Sequence, residues 1–331
     1  MSIKDEFQFI QKISPKELFH TNLRVGIGDD AAVLQTEENY EQVVCMDTMI
    51  EGIHFTKQTM RPFDIGYKSL AINISDMAAM GAIPKFYLVS IAIPTSWNET
   101  EILTIYEGMD AIAQRYKMDL IGGDTVSTKN DLVISVTVIG EVEKGKAVLR
   151  SQAKPGDIVF VTGTLGDSAA GLHLLLHKCS DFPHHDYKFL ISRHQRPSPR
   201  VNVGRIVSQL GRASLNDVSD GLASELNEIA EASGMTIVIH KKFIPLSQSI
   251  KNFSDDVIYN WALTGGEDYE LVGTISPIHF KELKKKCEKE GVPITEIGEV
   301  HPPQSDFVII ERDGRHEVLN KNGYNHFKKG D

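Results

Sequence analysis

The chain has 331 residues, of which 41% are hydrophobic and 24% are charged, so it can form folded domains with buried cores. It has 35 Lys and Arg against 45 Asp and Glu, and the net charge of −10 argues against nucleic acid as its main partner. Three widely separated cysteines and the absence of a long apolar run predict a soluble, cytoplasmic protein without a structural zinc site.

The first half of the chain combines short apolar strands with a short amphipathic helix, predicted from near Asp5 to around Pro15, and with two longer helices. Apolar residues at helical spacing between Ile65 and Met80 predict one helix, which ends at Gly81. The periodicity over Glu99–Tyr116 predicts the other. The predicted strands are 25–34 around a glycine turn, 43–47, 86–93, 119–121 before a turn on two glycines, and 132–139.

The second half begins after a turn at residues 154–157, which predicts a boundary between two domains, 1–150 and 151–331. Its predicted strands are 158–162, 213–218, 236–240, 269–274, 294–300 and 307–310. Its predicted helices are 168–177, 201–210, 222–232 and 279–290, and 184–185 and 193–200 are predicted loops. This irregular mixture favours an α+β fold over a doubly wound sheet.

Carboxylates follow strand ends, helix ends or glycines at six places along the chain. These are Asp29–Asp30, Asp47, Asp76, Asp124, Asp217 with Asp220, and Glu267–Asp268. Converging carboxylates repel each other unless cations lie between them. Oxygen ligands suit Mg²⁺, which keeps coordination positions for water and phosphate. The pattern therefore predicts a magnesium-dependent polyphosphate site.

The usual nucleotide motifs are missing. The segment 140–147 nearly matches a P-loop, but Ala147 lacks the metal-binding hydroxyl and two glutamates would oppose phosphate, so we predict a charged hairpin turn. The glycines at 26 and 28 lack the third glycine of the dinucleotide fingerprint. The arginines that could face phosphate are Arg150, Arg193, Arg196 and Arg200, although the last three could equally be solvated loop residues.

Motifs along nearly the whole chain resemble those of the thiamine-monophosphate kinases, in the superfamily that includes aminoimidazole ribonucleotide synthetase. They are Gly-Ile-Gly-Asp-Asp-Ala-Ala (26–32), Glu-Gly-Ile-His-Phe (51–55), Asn-Ile-Ser-Asp-Met-Ala-Ala-Met-Gly-Ala (73–82), Gly-Gly-Asp-Thr (122–125), Leu-Arg-Ser (149–151), Asp-Val-Ser-Asp-Gly-Leu (217–222), Gly-Gly-Glu-Asp-Tyr-Glu-Leu (265–271) and Gly-Tyr-Asn-His-Phe (323–327). The acid-glycine motifs are shared by the superfamily. The motifs at 51–55, 265–271 and 323–327 are more specific to the kinases.

This resemblance implies transfer of the γ-phosphoryl group of ATP onto the phosphate of thiamine monophosphate. It implies that the N-terminal domain binds ATP and Mg²⁺ and forms a homodimer through a β-barrel-like interface, and that the C-terminal α/β domain completes the active site. The implied metal ligands are Asp30, the backbone of Met46, Asp47, Asp76, Asp124, Asp217 and Asp220. The implied ATP contacts are Tyr106, Gly123, Arg150 and Ser219, and the implied substrate contacts are His54, Glu267 and Tyr324.

The chain departs from the family pattern at Cys45 and Met46, where Ser or Thr is common, so only backbone oxygens could bind metal at these positions. Because the acceptor phosphate is already a nucleophile, no catalytic base is required, and we expect direct in-line transfer without a phosphoenzyme. The alternatives are a sibling ATP-dependent enzyme of the superfamily, such as a purine-pathway cyclo-ligase or selenophosphate synthetase, and a catalytically silent nucleotide-binding protein.

Overall fold

The computed structural model describes residues 12–16, 18–25, 33–35, 37–177 and 182–323. The predicted site residues Asp30 and Tyr324 lie outside these ranges. The chain divides into two units, one formed by Met1–Met77 and Ala82–Gly145 and the other by Ala78–Gly81 and Lys146–Asp331. A domain boundary at residue 150 stays a prediction.

Both units contain helices and strands in an irregular order. The helices α1–α8 span Pro62–Ala79, Glu99–Tyr116, Asp167–His177, His184–Gln195, Val201–Leu210, Leu222–Ser233, Asp255–Thr264 and Pro277–Lys289. The strands β1–β13 span Leu23–Val25, Val33–Leu34, Tyr40–Ile50, Ile83–Pro94, Asp119–Thr128, Val133–Glu143, Ile158–Thr162, Ala213–Asp217, Thr236–His240, Leu271–Ile275, Ile294–His301, Val308–Arg312 and Arg315–Val318. Short 3-10 helices lie at Arg150–Gln152, Lys241–Phe243 and Ser249–Asn252.

The first unit is built on a four-stranded sheet in the order β3-β6-β4-β5, in which only β4 and β5 are parallel. Every second residue of β6 is buried, which is the period of a strand with one face against a core. Helix α1 covers this buried face, because a Cβ added to Gly140 of β6 would lie 2.8 Å from the Met77 sulfur. The other face is open over part of its area, where Val44, Met46 and Val126 are 60%, 64% and 47% exposed, but Phe86 on this face is buried and contacts His20.

Helices α1 and α2 cross at glycines. A Cβ added to Gly66 of α1 would lie 1.8 Å from the Ile105 oxygen, and one added to Gly108 of α2 would lie 2.0 Å from the Phe63 oxygen. Each glycine therefore lets one helix backbone approach the other closely. Helix α2 begins at a capping box between Asn98 and Glu101.

The second unit contains a seven-stranded mixed sheet in the order β13-β12-β9-β11-β7-β10-β8. Its pairs are antiparallel except for β9 with β12. Helix α6 packs on the sheet with its buried residues, including Leu226 and Ile229, in one core with Val161 of β7 and Val272 of β10. This mixed architecture confirms the predicted α+β class, and the described strands of the first unit form an open sheet rather than a closed barrel.

Several predicted elements are confirmed and others need correction. Helices α2 and α5 and strand β9 have the predicted bounds. The predicted loop at 184–185 is wrong, because helix α4 begins at His184, and this helix also includes the start of the predicted loop 193–200. The predicted end of a strand at Asp47 is wrong, because β3 continues to Ile50.

The predicted turn at Gly122 and Gly123 is also wrong, since both lie inside β5, which continues past Asp124 to Thr128. A Cβ added to Gly123 would lie 2.0 Å from the Val89 oxygen, so this glycine allows close strand packing instead of a turn. Among the described residues, no helix combines the length and the hydropathy that a bilayer crossing requires.

Candidate functional site

Asp76 lies near the end of α1, within a long run of buried residues. Every residue from Lys68 to Ala79 is buried except Asp76, which is partly exposed. The helix thus places one carboxylate at the edge of a core without burying it completely, which lowers the cost of its charge. The carboxylate is therefore placed where it can bind a cation.

A thiol contact joins α1 to the strand that carries Asp47. The Cys45 Sγ lies 3.3 Å from the Asn73 carbonyl oxygen, so the side chain of Cys45 faces the helix. The neighbouring Met46 side chain projects to the open face and is 64% exposed. Because β3 pairs with only one described strand, alternate backbone carbonyls of β3 face away from β6 and can act as ligands.

Asp47 and Asp124 lie on opposite edges of the sheet. Asp47 is opposite Val136, Val136 is opposite Val89, and Val89 is opposite Gly123, the neighbour of Asp124. Three strand spacings separate the two acids, or about 14 Å. They are therefore too far apart to bind the same metal ion within one chain. In the described parts of the chain, no three His, Cys, Asp or Glu residues are grouped as ligands of one ion.

The loop that carries His54 is held by its own hydrogen bonds. The Ile50 N–H donates to His54 Nδ1 at 3.0 Å. Because Nδ1 accepts this bond, the proton of the neutral imidazole is on Nε2. The carboxylate of Glu51 accepts bonds from the Trp97 indole at 2.8 Å and from the Leu132 N–H at 3.1 Å. The loop therefore presents an imidazole whose Nε2–H can donate to an anion.

Tyr106, a predicted nucleotide contact, lies on α2 and is only 8% exposed. Burial raises the pKa of its phenol, so the side chain is neutral at physiological pH. Gly123 is exposed on β5, where its lack of a side chain serves the close approach of β4. Tyr106 can therefore offer an aromatic ring to a ligand, and Gly123 can offer backbone groups that no side chain covers.

In the second unit, β8 leads into a turn that carries Asp217, Ser219 and Asp220, and helix α6 follows. Asp217 is buried, whereas Ser219 and Asp220 are partly exposed. Gly221 allows the turn, because it adopts a φ of +102° and a Cβ there would lie 2.8 Å from the Leu263 oxygen.

Two buried side chains hold this turn in place, Glu225 directly and Asn216 through Glu225. Glu225 of α6 accepts bonds from the Asp220 N–H at 3.0 Å and from the Ser219 hydroxyl at 3.4 Å. Asn216 donates to Glu225 through Nδ2 and accepts from Arg150 Nε at 3.1 Å. Burial, followed by the charge of Asp217, raises the pKa of Glu225 to about 9. The crowding of these carboxylates favours a cation beside them.

The loop from Gly265 to Glu270 packs against the same turn. The Glu267 N–H donates to the Ser219 oxygen at 2.6 Å, and the Tyr269 N–H donates to the Val218 oxygen at 2.9 Å. Glu267 and Tyr269 both have positive φ, 59° and 50°, which is a strained conformation for residues other than glycine. The Glu267 carboxylate, 29% exposed, lies 3.4 Å from the buried His194 Nδ1.

A buried ion cluster fixes the far end of this loop. Arg200 and Arg193 both pair with Glu270, and the Thr162 hydroxyl donates to Glu270 at 2.6 Å. Burial opposes ionisation of Glu270, but the charges of Arg200 and Arg193 outweigh it and lower the pKa. A Cβ on Gly163 would lie 2.1 Å from Glu270 Oε1.

The interpretation of Arg193 and Arg200 as phosphate-facing or solvated loop residues is therefore wrong, because Glu270 binds both. Their side chains are 13% and 18% exposed, whereas that of Arg150 is 53% exposed. Arg150 thus stays a cation that a phosphate can reach. Sequence analysis missed Asn216, Glu225 and His194. Asn216 and His194 have partners far away in the chain, and the partners of Glu225, five to nine positions away, form no recognised motif with it.

Comparison with known proteins gives matches over most of the chain. Residues 28–142 match the model of the AIR synthase related protein, N-terminal domain, and residues 154–311 match that of the C-terminal domain. The thiamine-monophosphate kinase of Bacillus subtilis (strain 168) is 53% identical over 98% of this chain and 100% of that protein.

Solved structures agree with this result. A thiamine-monophosphate kinase from Stenotrophomonas maltophilia K279a is 36% identical with a TM-score of 0.82, over 90% of this chain and 93% of that chain. AaThiL complexed with AMPPCP and TMP is 32% identical with a TM-score of 0.77, over 91% of this chain and 92% of that chain.

Proposed function

The chain belongs to the thiamine-monophosphate kinase family of AIR synthase related proteins, and we propose that it transfers the γ-phosphoryl group of ATP onto thiamine monophosphate to form thiamine diphosphate. The observation that carries this proposal is the 53% identity to a thiamine-monophosphate kinase over 98% of the chain. AMPPCP, an analogue of ATP, and TMP are the ligands named for the related AaThiL.

Nucleotide binding is proposed for Tyr106 and Gly123 in the first unit and for Arg150 and Ser219 in the second. The half-exposed guanidinium of Arg150 can donate to phosphate oxygens, and the partly exposed Ser219, whose hydroxyl donates to Glu225, can accept a hydrogen bond from the nucleotide. The buried ring of Tyr106 can supply an apolar contact. These contacts position the nucleotide, which is the main requirement of phosphoryl transfer.

Substrate binding is proposed for His54, Glu267 and Tyr324. Because the Ile50 N–H occupies His54 Nδ1, the imidazole can donate through Nε2–H to the substrate phosphate while staying neutral. The Glu267 carboxylate is held on a strained loop beside His194 and suits the cationic part of thiamine monophosphate. The acceptor phosphate needs no base, so we propose direct in-line transfer without a phosphoenzyme.

Magnesium binding fits the donor chemistry of the chain, because all the side-chain donors are carboxylates, which hard cations prefer. The proposed ligands are Asp30, the backbone oxygen of Met46, Asp47, Asp76, Asp124, Asp217 and Asp220. Bound Mg²⁺ would supply the charge neutralisation that lets two phosphate-bearing reactants approach. Since Mg²⁺ commonly takes one or two carboxylates and completes its shell with phosphate and water, grouped protein ligands are not required in advance.

A cytoplasmic homodimer, paired through a β-barrel-like interface, completes the proposal. The open face of the sheet exposes Val44, Met46 and Val126, which a second copy could cover. Strands β3 and β5 are the two free edges of the described sheet. Pairing of these edges between two copies could also bring Asp47 of one copy near Asp124 of the other.

The test is an assay with purified protein, ATP, Mg²⁺ and thiamine monophosphate, in which chromatography detects thiamine diphosphate. Free thiamine is the control acceptor. We expect product from the monophosphate alone. ATP binding without any product would contradict the proposed reaction and favour a silent nucleotide-binding protein or a sibling enzyme.

A further inference from the structure

Asn216 lies at the centre of a chain of side-chain hydrogen bonds in the second unit. It is 2% exposed, so it cannot reach a ligand itself. Its Oδ1 accepts from Arg150 Nε at 3.1 Å, and its Nδ2 donates to the carboxylates of Glu225 and, at 3.2 Å, Glu228. Each end of the amide therefore has a partner of the correct polarity.

Glu225 continues this chain to the turn after β8. It is 3% exposed and accepts from the Asp220 N–H and the Ser219 hydroxyl through the same oxygen, Oε1. Its other oxygen, Oε2, accepts from Asn216. Asn216 and Glu225 thus connect the guanidinium of Arg150 to the Ser219 turn without an intervening gap.

We propose that Asn216 and Glu225 are positioning residues for the nucleotide, which hold Arg150 and Ser219 in one fixed arrangement. This inference rests on the proposed function, in which Arg150 and Ser219 contact ATP. The Arg150 side chain is 53% exposed and long, and an arginine loses rotamer freedom when it binds phosphate, unless contacts such as those of Arg150 with Asn216 and, at 3.0 Å, with Glu228 already restrict it. The Asn216 amide removes part of this freedom in advance, which favours binding.

Asn227 provides a matched control. It is also a buried asparagine, 6% exposed, and lies on the same helix as Glu225. Its Nδ2 donates to the carbonyl oxygens of Ala223 and Leu319, both at 2.8 Å. Loss of its amide therefore removes hydrogen bonds of similar length from the same region, but none that leads to Arg150.

The experiment measures the dissociation constant of ATP by calorimetry and the KM values of both substrates for N216A, N227A, R150A and N216A/R150A. We expect N216A to weaken ATP binding about tenfold and to leave the KM of thiamine monophosphate within about twofold. We expect N227A to lower the melting temperature without changing ATP affinity. In the R150A background, N216A should raise the dissociation constant of ATP by less than about twofold, because the two residues act as one unit.

A second variant covers a failure of N216A to fold. E225Q keeps the size of the side chain and an oxygen for the Asp220 N–H, but it places an amide donor against Asn216 Nδ2. We expect E225Q to weaken ATP binding severalfold and, like N216A, to leave the KM of thiamine monophosphate nearly unchanged. The inference is overturned if N216A or E225Q affects ATP no more than N227A, or if the effect of N216A is undiminished in R150A.

The product assay and the calorimetric cycle distinguish a failure of the proposed function from a failure of this inference. If the wild-type protein binds ATP but forms no thiamine diphosphate, the reaction is wrong, and the calorimetric cycle still decides whether Asn216 acts through Arg150. If the wild-type protein forms product and the cycle shows no coupling, the positioning role alone is wrong.

Discussion

Arg200 donates two hydrogen bonds to the carboxylate of Glu270, from Nε to Oε2 at 2.6 Å and from Nη2 to Oε1 at 2.5 Å. The carboxylate is 1% exposed and also accepts from Arg193 Nη2 at 2.7 Å. One buried carboxylate thus compensates two guanidinium groups that sequence patterns cannot distinguish from phosphate ligands. This cluster holds the start of β10 directly after the loop that carries Glu267.

The first prediction concerns the stability provided by this cluster. Glu270→Gln removes the carboxylate that both buried guanidinium groups bind and leaves Arg193 only the weaker interactions with Asp167 and Asp268, so we expect a loss of about 3–5 kcal/mol in the free energy of unfolding. Urea unfolding followed by circular dichroism measures this loss. The control is Glu282→Gln, which breaks an exposed i, i+4 pair with Lys286 on α8. If E270Q lost as little unfolding free energy as the control, the proposed contribution of the Glu270 cluster to stability would be wrong.

The second prediction concerns Asp268, whose carboxylate accepts from the Gly166 N–H at 2.7 Å and from the Ser168 N–H at 3.2 Å. Burial, followed by the charge of Asp167, raises the pKa of Asp268 to about 7. The folded state therefore binds a proton that the unfolded state releases near pH 4. The contribution of Asp268 to stability is greatest below about pH 4 and falls as the pH rises to about 7.

The measurement for Asp268 compares the unfolding free energies of the wild type and Asp268→Asn from pH 4 to pH 8. We expect the wild type to lose stability relative to the variant as the pH rises. The control is Asp186→Asn, because hydrogen bonds from Ser249 and Asn252 help to lower the pKa of Asp186. Its contribution is lost only as the pH falls below about 4, so the control difference should stay nearly flat between pH 4 and pH 8. If the difference in unfolding free energy between the wild type and D268N did not change with pH, the prediction would be wrong.

The third prediction concerns the reactivity of Cys287, which is fully buried on α8. Burial, followed by the charge of Glu290, raises the pKa of this thiol to about 11. Only the thiolate reacts with iodoacetamide, and at pH 8 about one molecule in a thousand carries it. Mass spectrometry should find Cys287 unmodified in the native protein at pH 8 and modified after denaturation in urea. Rapid native modification would contradict this account.

The fourth prediction tests which nitrogen of His54 binds the substrate. Asparagine can replace Nδ1 and keep the bond from the Ile50 N–H, whereas glutamine places its amide N–H near the position of Nε2. We expect His54→Asn to raise the KM of thiamine monophosphate about tenfold and His54→Gln to raise it less. The KM of ATP should stay unchanged in both. If H54N matched the wild type, donation through Nε2–H would be wrong.

Sequence analysis predicted those elements whose causes are local. The bounds of α2 follow from its apolar period and from the capping box of Asn98 with Glu101, and both are readable within one stretch. The predicted turn at Gly123 failed, because this glycine serves a contact with Val89 on a neighbouring strand. A glycine needed for packing and one needed for a turn look the same in a single sequence.

The candidate site was predictable only for residues with recognisable motifs. Asp76, a single charge among apolar residues, proved to be the one partly exposed residue of a buried run. The roles of Arg193 and Arg200 depended on Glu270, which lies 77 and 70 positions away in the chain. Asn216 and Arg150 are similarly separated by 66 positions, so their contact required the fold.

A single-turnover experiment with [γ-³²P]ATP distinguishes direct transfer of the γ-phosphoryl group to thiamine monophosphate from transfer through a phosphoenzyme. The enzyme, in excess over ATP, is mixed with Mg²⁺ and thiamine monophosphate and quenched over time. We predict that the label passes from ATP to thiamine diphosphate without appearing on the protein. A labelled protein that passes its phosphate to thiamine monophosphate, or an absence of labelled product, would contradict the account.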